Sequence, residues 1–80
     1  MPSVYLIRSQ MNPEQRYIGL TYKLKKRMQE HNRGECISTS DYRPWTVEVS
    51  IYFRDHKKAA AYEQYLKTGS GRAVASKRFW

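Results

Sequence analysis

The chain has 80 residues, with fifteen Lys and Arg against seven Asp and Glu, so it carries a formal charge of +8 and a pI near 9.9. A chain of this size buries only about 60–65% of its unfolded surface, which leaves no room for a second domain or a large cofactor cleft. No run approaches the roughly 20 apolar residues of a membrane span, and the N-terminus is too polar for a signal peptide, so a single cytoplasmic domain over residues 1–80 is expected. The charge is the footprint of a protein that meets a polyanion, with nucleic acid ahead of a membrane surface. Cys36 is the only cysteine, which excludes an internal disulfide and a cysteine-rich zinc site. It reads as an incidental thiol, although Lys and Arg nearby are the setting in which a thiol becomes nucleophilic.

Residues 4–8 and 16–20 read as strands, separated by a segment containing Asn12-Pro13, a turn signal. Strands this close in sequence pair antiparallel most easily. Thr21 suits an N-cap for a helix over residues 22–32, whose Leu24, Met28 and His31 share one face. Asn32-Arg33-Gly34 stops it, and residues 35–44 are a polar loop. Residues 45–53 alternate, with Val47, Val49, Ile51 and Phe53 expected on one face. Asp55 suits the cap of a helix over residues 56–67, and Gly69-Ser70-Gly71 breaks it before a short helix over 71–77 capped by Ser70. The fold class is α/β in the wide sense (α+β): a three-stranded antiparallel sheet with flanking helices in the order β-β-α-β-α-α.

Polar residues interrupt the apolar faces. Arg27 and His31 fall within the arc of Leu24 and Met28, one helical turn apart. Glu63 sits beside Ala59 and Leu66 on the next helix, where an unpaired carboxylate is costly to bury. Taken singly, each has an ordinary structural explanation: a snorkelling arginine, a hydrogen-bonded core histidine, a carboxylate at the edge of a stripe. Together with Tyr5 and Tyr17 on the hairpin they make an anion clamp, a titratable imidazole, a hard-cation ligand and two phenols, the parts of a metal-assisted phosphodiester hydrolysis.

The same residues carry a family resemblance. Tyr17-Ile18-Gly19 is the second signature motif of the GIY-YIG nuclease superfamily, and Ser3-Val4-Tyr5 stands at the first, with Ser and Val for Gly and Ile. Leu24-Lys25-Lys26-Arg27 followed by His31, Tyr42-Arg43-Pro44-Trp45, Glu63, and the run from Tyr65 to Ala73 fall in the family's order. The chain resembles most the small single-domain members related to the N-terminal nuclease module of the excinuclease C subunit. The resemblance implies that Glu63 ligates a divalent cation, Mg²⁺ or Mn²⁺. Tyr5 acts as general base or orients the attacking water, a role that requires its pKa to be lowered by neighbouring cations. Tyr17 positions water and phosphate, Arg27 stabilises the transition state, and His31 hydrogen-bonds a tyrosine or the phosphate and accepts a proton. Gly19 is kept small for close approach of the helix start and the substrate. Candidate nucleic-acid contacts are Gly19, Lys26, Lys67, Ser70 and Arg72. The chain departs from the family pattern at the lost glycine of the first motif, at Leu20, and in having no late Asn; the Gly69-Ser70-Gly71-Arg72 turn is read either as a phosphate nest in its place or as a plain helix break.

The expected activity is a divalent-metal-dependent endonuclease acting on DNA, structure-selective and engaged in DNA repair or processing, with a partner protein or a homodimer supplying specificity. The alternative is a catalytically inactive nucleic-acid-binding module. Trp45 is expected to pack, and Trp80 is left open between base stacking and core closure.

Overall fold

The computed structural model describes residues 1–80. Strands β1 (Ser3–Ser9) and β2 (Arg16–Thr21) form a hairpin, followed by α1 (Leu24–Arg33), a single 3₁₀ turn at Ser40–Tyr42, β3 (Trp45–Tyr52), α2 (His56–Leu66) and α3 (Gly69–Arg78). The sheet order is β2-β1-β3, antiparallel throughout, so the first strand is the central one. This is the expected α+β order. No helix is long and apolar enough to cross a membrane.

The central strand reads Ser-Val-Tyr-Leu-Ile-Arg-Ser and is almost continuously buried, because helices cover both faces of the sheet. Its side chains alternate between two cores. Val4 and Leu6 pack with Ala59, Leu66 and Ala75 from α2 and α3, and Tyr5 and Ile7 pack with Trp45, Leu24 and Met28 on the α1 side. Trp45 packs, as expected, and donates its Nε1–H to the Thr39 carbonyl at 2.8 Å.

One expectation for β3 fails. Val47, Val49, Ile51 and Phe53 do not all share a face. The ladder pairs Leu6 with Val49 but Ile7 with Val47, so a bulge inserts one extra residue on β3 at this point. The extra residue inverts the side-chain parity across the bulge, sending Val47 to the Tyr5 core and Val49 and Phe53 to the Val4 core.

The helix caps differ in detail. Thr21 stays in the ladder opposite Ser3, so α1 begins at Leu24, and the Thr21 hydroxyl accepts the Lys23 N–H at 3.1 Å just ahead of the helix. Gly34 ends α1 in the left-handed region at φ 81, the helix stop read from Asn32-Arg33-Gly34. Asp55 caps α2 as expected, accepting the Lys57 N–H at 2.8 Å. Thr68, not Ser70, caps α3 through the Gly71 N–H at 3.1 Å, and Ser70 is an exposed first-turn residue. Gly71 has a packing reason: a Cβ there would run into the backbone of Tyr65 and stand 2.7 Å from Leu66 Cα. The turn therefore lets α3 start against the end of α2, which favours the packing reading over a phosphate nest.

Candidate active site

The site grows from the centre of the sheet outward. Tyr5 on β1 lies opposite Gly19 on the edge strand β2, on the face covered by α1. Its ring lies across the space a side chain at Gly19 would fill. A Cβ there would overlap the Tyr5 hydroxyl and stand 2.8 Å from Cε1. The glycine of the Tyr-Ile-Gly motif is thus small to admit the other tyrosine, rather than to admit a helix start.

Four of the five expected catalytic residues meet at this phenol. Tyr5 Oη is 2.9 Å from His31 Nε2, and Arg27 Nε donates to the same oxygen at 3.3 Å. Tyr17, two residues before Gly19 on the same face, sets its ring centroid 5.1 Å from that of His31 and 6.2 Å from that of Tyr5. The one-turn spacing of Arg27 and His31 on α1 brings both to the tyrosine, while Leu24 and Met28 on the same stripe hold the helix down. Arg27 Nη1 also pairs with Glu30 at 3.0 Å, and Nη2 lies 3.8 Å from the Cys36 sulfur. Three of its five N–H groups are used, leaving two for a ligand.

Hydrogen-bond bookkeeping sets the direction of the Tyr5–His31 bond. The buried Tyr5 hydroxyl already accepts from Arg27 Nε, and His31 Nε2 is its one hydrogen-bond acceptor, so its O–H is assigned to Nε2; the other ring nitrogen, Nδ1, faces the Thr39 hydroxyl at 2.8 Å, which can turn its own proton to the Cys36 carbonyl at 3.4 Å. His31 therefore carries its proton on Nδ1, leaving Nε2 to accept the Tyr5 O–H. Burial, and then the charge of Arg27, push the His31 pKa below its usual 6.5, which keeps the imidazole neutral near pH 7, with Nε2 in its proton-accepting form. The expectation that cations lower Tyr5 is overturned. Burial pushes its pKa up to about 12, and the opposing hydrogen bond from Arg27 does not offset the lost hydration. Tyr5 is a phenol near neutral pH, with a base already in contact. Arg27 is held still more firmly protonated by its bonds to Tyr5 and Glu30.

Glu63 does not join this cluster. α2 packs on the other face of the sheet, against Val4 and Leu6. The Glu63 carboxylate accepts from Lys67 Nζ at 2.8 Å and from Gln64 Nε2 at 3.1 Å. Its partner Lys67 nevertheless lines the cleft at the β2 edge. The two faces communicate at that edge, where Tyr17, Lys67 and Arg72 line one cleft of about 440 Å³. Lys26 and Arg27 line a second, shallower depression with Leu20 and Tyr22. Of the expected nucleic-acid contacts, Lys26, Lys67 and Arg72 thus flank the edge strand on its two sides, Gly19 lies buried between them, and Ser70 lines neither depression.

No three His, Cys, Asp or Glu side chains converge on a point. The donor set fits a cation of the Mg²⁺ type held by one carboxylate, with waters and a substrate phosphate completing its shell, and Glu63 is the carboxylate that would hold it.

Sequence reasoning missed Thr39 and Arg16, and left Trp80 open. Thr39 is fully buried and fixes the His31 tautomer, yet it lies in a polar loop with no periodicity to mark it. The one signal was that a buried histidine needs a second partner. Arg8 and Arg16 bracket the Trp80 ring at 5.6 and 5.1 Å from its centroid, so Trp80 closes the ends of β1 and β2, with part of its surface in the cleft.

The family model for the GIY-YIG catalytic domain matches residues 1–77 of the chain. No curated protein matches it closely enough to be named as a relative.

Proposed function

The chain belongs to the GIY-YIG family, whose domains are of nuclease type and whose substrate is DNA, and from that premise we propose that it is a divalent-metal-dependent endonuclease. The observation that carries the reading is the hydrogen-bonded pair of Tyr5 and neutral His31, 2.9 Å apart, with Arg27 on the same oxygen. The attacking water gives its proton to Tyr5 Oη as the phenol proton passes to His31 Nε2. The pair therefore acts as a base at a pH where Tyr5 alone would not. Thr39 holds the tautomer that leaves Nε2 free. Tyr17 orients the phosphate beside the pair. The free N–H groups of Arg27 face the charge that develops on the pentacovalent phosphorus, a contribution on the order of 10²–10³ in rate. Glu63 would hold the divalent cation, Mg²⁺ or Mn²⁺, which would supply charge neutralisation at the phosphate oxygens. The +8 charge and the cationic rims along the edge strand support DNA as substrate. A role in DNA repair or processing, selectivity for branched or nicked structures, and a partner protein or homodimer that adds specificity belong to the same reading of a single 80-residue cytoplasmic domain.

The test mixes the purified protein with branched, nicked and linear DNA, with Mg²⁺ or with EDTA. Cutting that needs the cation and is lost in Tyr5→Phe and Glu63→Ala supports the reading. No cutting of any substrate, or wild-type cutting by Glu63→Ala, ends it. The second reading, a nucleic-acid-binding module without catalysis, is favoured by the Lys67 ammonium that closes Glu63. It predicts salt-dependent binding indifferent to EDTA and to Glu63→Ala.

A further inference from the structure

We propose that the cleft between β2 and α3 binds an unpaired nucleotide of the substrate strand, with its base in the apolar recess and its phosphates on the rim. The cleft has two kinds of wall. Ile18, Ala75 and part of Trp80 line an apolar recess, and Arg16, Lys67 and Arg72 stand on the rim. All three cations are exposed, and Arg16 and Arg72 have no acidic partner.

That combination does not suit a duplex. A double helix presents phosphates to a protein edge and keeps its bases stacked inside, so it can use the rim but not the recess. An unpaired nucleotide uses both, because its base has apolar faces that stack on an indole or a guanidinium plane. At about 440 Å³ the cleft is in the size range of small-molecule sites and far too small for a duplex. The Trp80 ring already carries cations over it, and Arg16 at 5.1 Å is the exposed one, free to give way to a base or to carry it on its outer face.

Tyr17 joins the cleft to the reaction site, lining the one and sitting 5.1 Å from His31 in the other. A nucleotide held there places a neighbouring phosphate at the Tyr5–His31 pair. That placement rests on the nuclease reading, whereas the base pocket does not. The substrate class it names is DNA with an unpaired strand, such as a flap, gap or splayed arm.

Binding is measured in EDTA, so that cleavage plays no part, by fluorescence anisotropy of dye-labelled probes, a readout that does not depend on Trp80 and serves every variant. The probes are an oligothymidylate of about twelve residues, an abasic strand with the same phosphates, and a duplex of equal length. The oligothymidylate is expected to bind about 5- to 150-fold tighter than the abasic strand, the span of stacking one base. Ser76→Trp fills the cleft from an exposed position without changing charge, and is expected to remove that difference while leaving duplex affinity within about 2-fold. Trp80→Leu should do the same. If Trp80→Leu fails to fold, Ser76→Trp and the abasic strand decide alone. Equal affinity for the abasic strand, no effect of Ser76→Trp, or an equal loss for all three probes overturns the proposal. A protein that binds in this way but cuts nothing refutes the nuclease reading and leaves the pocket standing.

Discussion

Replacing Gly19 with alanine places a methyl group where the Tyr5 phenol now lies. The added carbon would overlap the Tyr5 hydroxyl and come to 2.8 Å from Cε1, against the roughly 3.5–4.0 Å of an ordinary carbon contact. The ring therefore has to move by about 1 Å or more, and it is walled in by Ile7, Trp45 and Met28. A shift of that size carries Tyr5 Oη out of reach of Arg27, now at 3.3 Å, and strains or breaks the 2.9 Å bond to His31. Overpacking costs about 1–3 kcal/mol, and a buried hydrogen bond lost with it adds about 1 kcal/mol. Gly19→Ala is therefore expected to destabilise by about 2–4 kcal/mol, a drop of roughly 10–30 °C in Tm for a domain of this size.

Urea unfolding of three glycine variants separates this cause from a general cost of losing glycine. At Gly69 nothing lies within 4 Å of an added Cβ, so Gly69→Ala should be neutral or slightly stabilising. At Gly71 the clash is with backbone, so Gly71→Ala should be at least as damaging as Gly19→Ala. In Gly19→Ala, DNA cleavage should fall further than the folded fraction does, because the phenol has left its base. A Gly19→Ala protein within about 0.5 kcal/mol of the wild type, or one that cuts DNA normally when folded, refutes the placement of Tyr5 over Gly19.

Thr39→Val keeps the shape but strands the buried His31 Nδ1–H; urea unfolding should show a loss of about 1–3 kcal/mol, with a fall in kcat at unchanged KM. Arg27→Lys keeps a cation but gives up the planar donor fork that serves Tyr5 and Glu30 together, and single-turnover cleavage should fall on the order of 10²–10³ with little change in DNA binding. The pH dependence follows from His31, whose folded pKa lies below 6.5. Between these values the unfolded chain binds the extra proton, so stability is full above about pH 6.5 and is lost as pH falls through the depressed value. Urea midpoints taken from pH 4 to 8 should show this slope in the wild type and a flatter one in His31→Gln, and the acid limb of cleavage should lie below pH 6.5.

What could be read from the sequence was whatever one element encodes by itself. The six elements and their order follow from local periodicity and from Gly34, Asp55 and the Gly69-Ser70-Gly71 break. The meeting of Arg27 and His31 follows from their one-turn spacing on an apolar stripe. Pairwise facts between elements were not encoded in this way. The bulge that sends Val47 and Val49 to opposite faces is a property of how β3 meets β1, and a regular alternation in sequence gives no hint of it. The Tyr5 pKa was expected in the wrong direction because its cationic neighbour can be named from sequence, whereas the depth of its burial belongs to the assembled sheet. Thr39 was invisible for the same reason: it matters only once His31 has been buried against it.

The pairing of Glu63 with Lys67 bears on the choice between an enzyme and a plain binding module. The Lys67 ammonium, 2.8 Å from the Glu63 carboxylate, stands where a cation held by that carboxylate would stand. The strength of the contact decides whether it bars one. The Glu63 side chain is 13% exposed, but the Lys67 side chain is 45% exposed and keeps much of its hydration, so this i,i+4 contact is worth about 1 kcal/mol or less. A divalent ion brings twice the charge to the same oxygens, so so weak a contact does not exclude it. Lys67 also lines the cleft with Tyr17 and Arg72, where a displaced ammonium has a second anion to meet when DNA is bound. On the nuclease reading, Lys67 would neutralise Glu63 before the substrate arrives and add a positive charge to the rim afterwards. Glu63 would oppose a polyanion in a module that only bound DNA, and it opposes nothing where a cation stands between it and the phosphate.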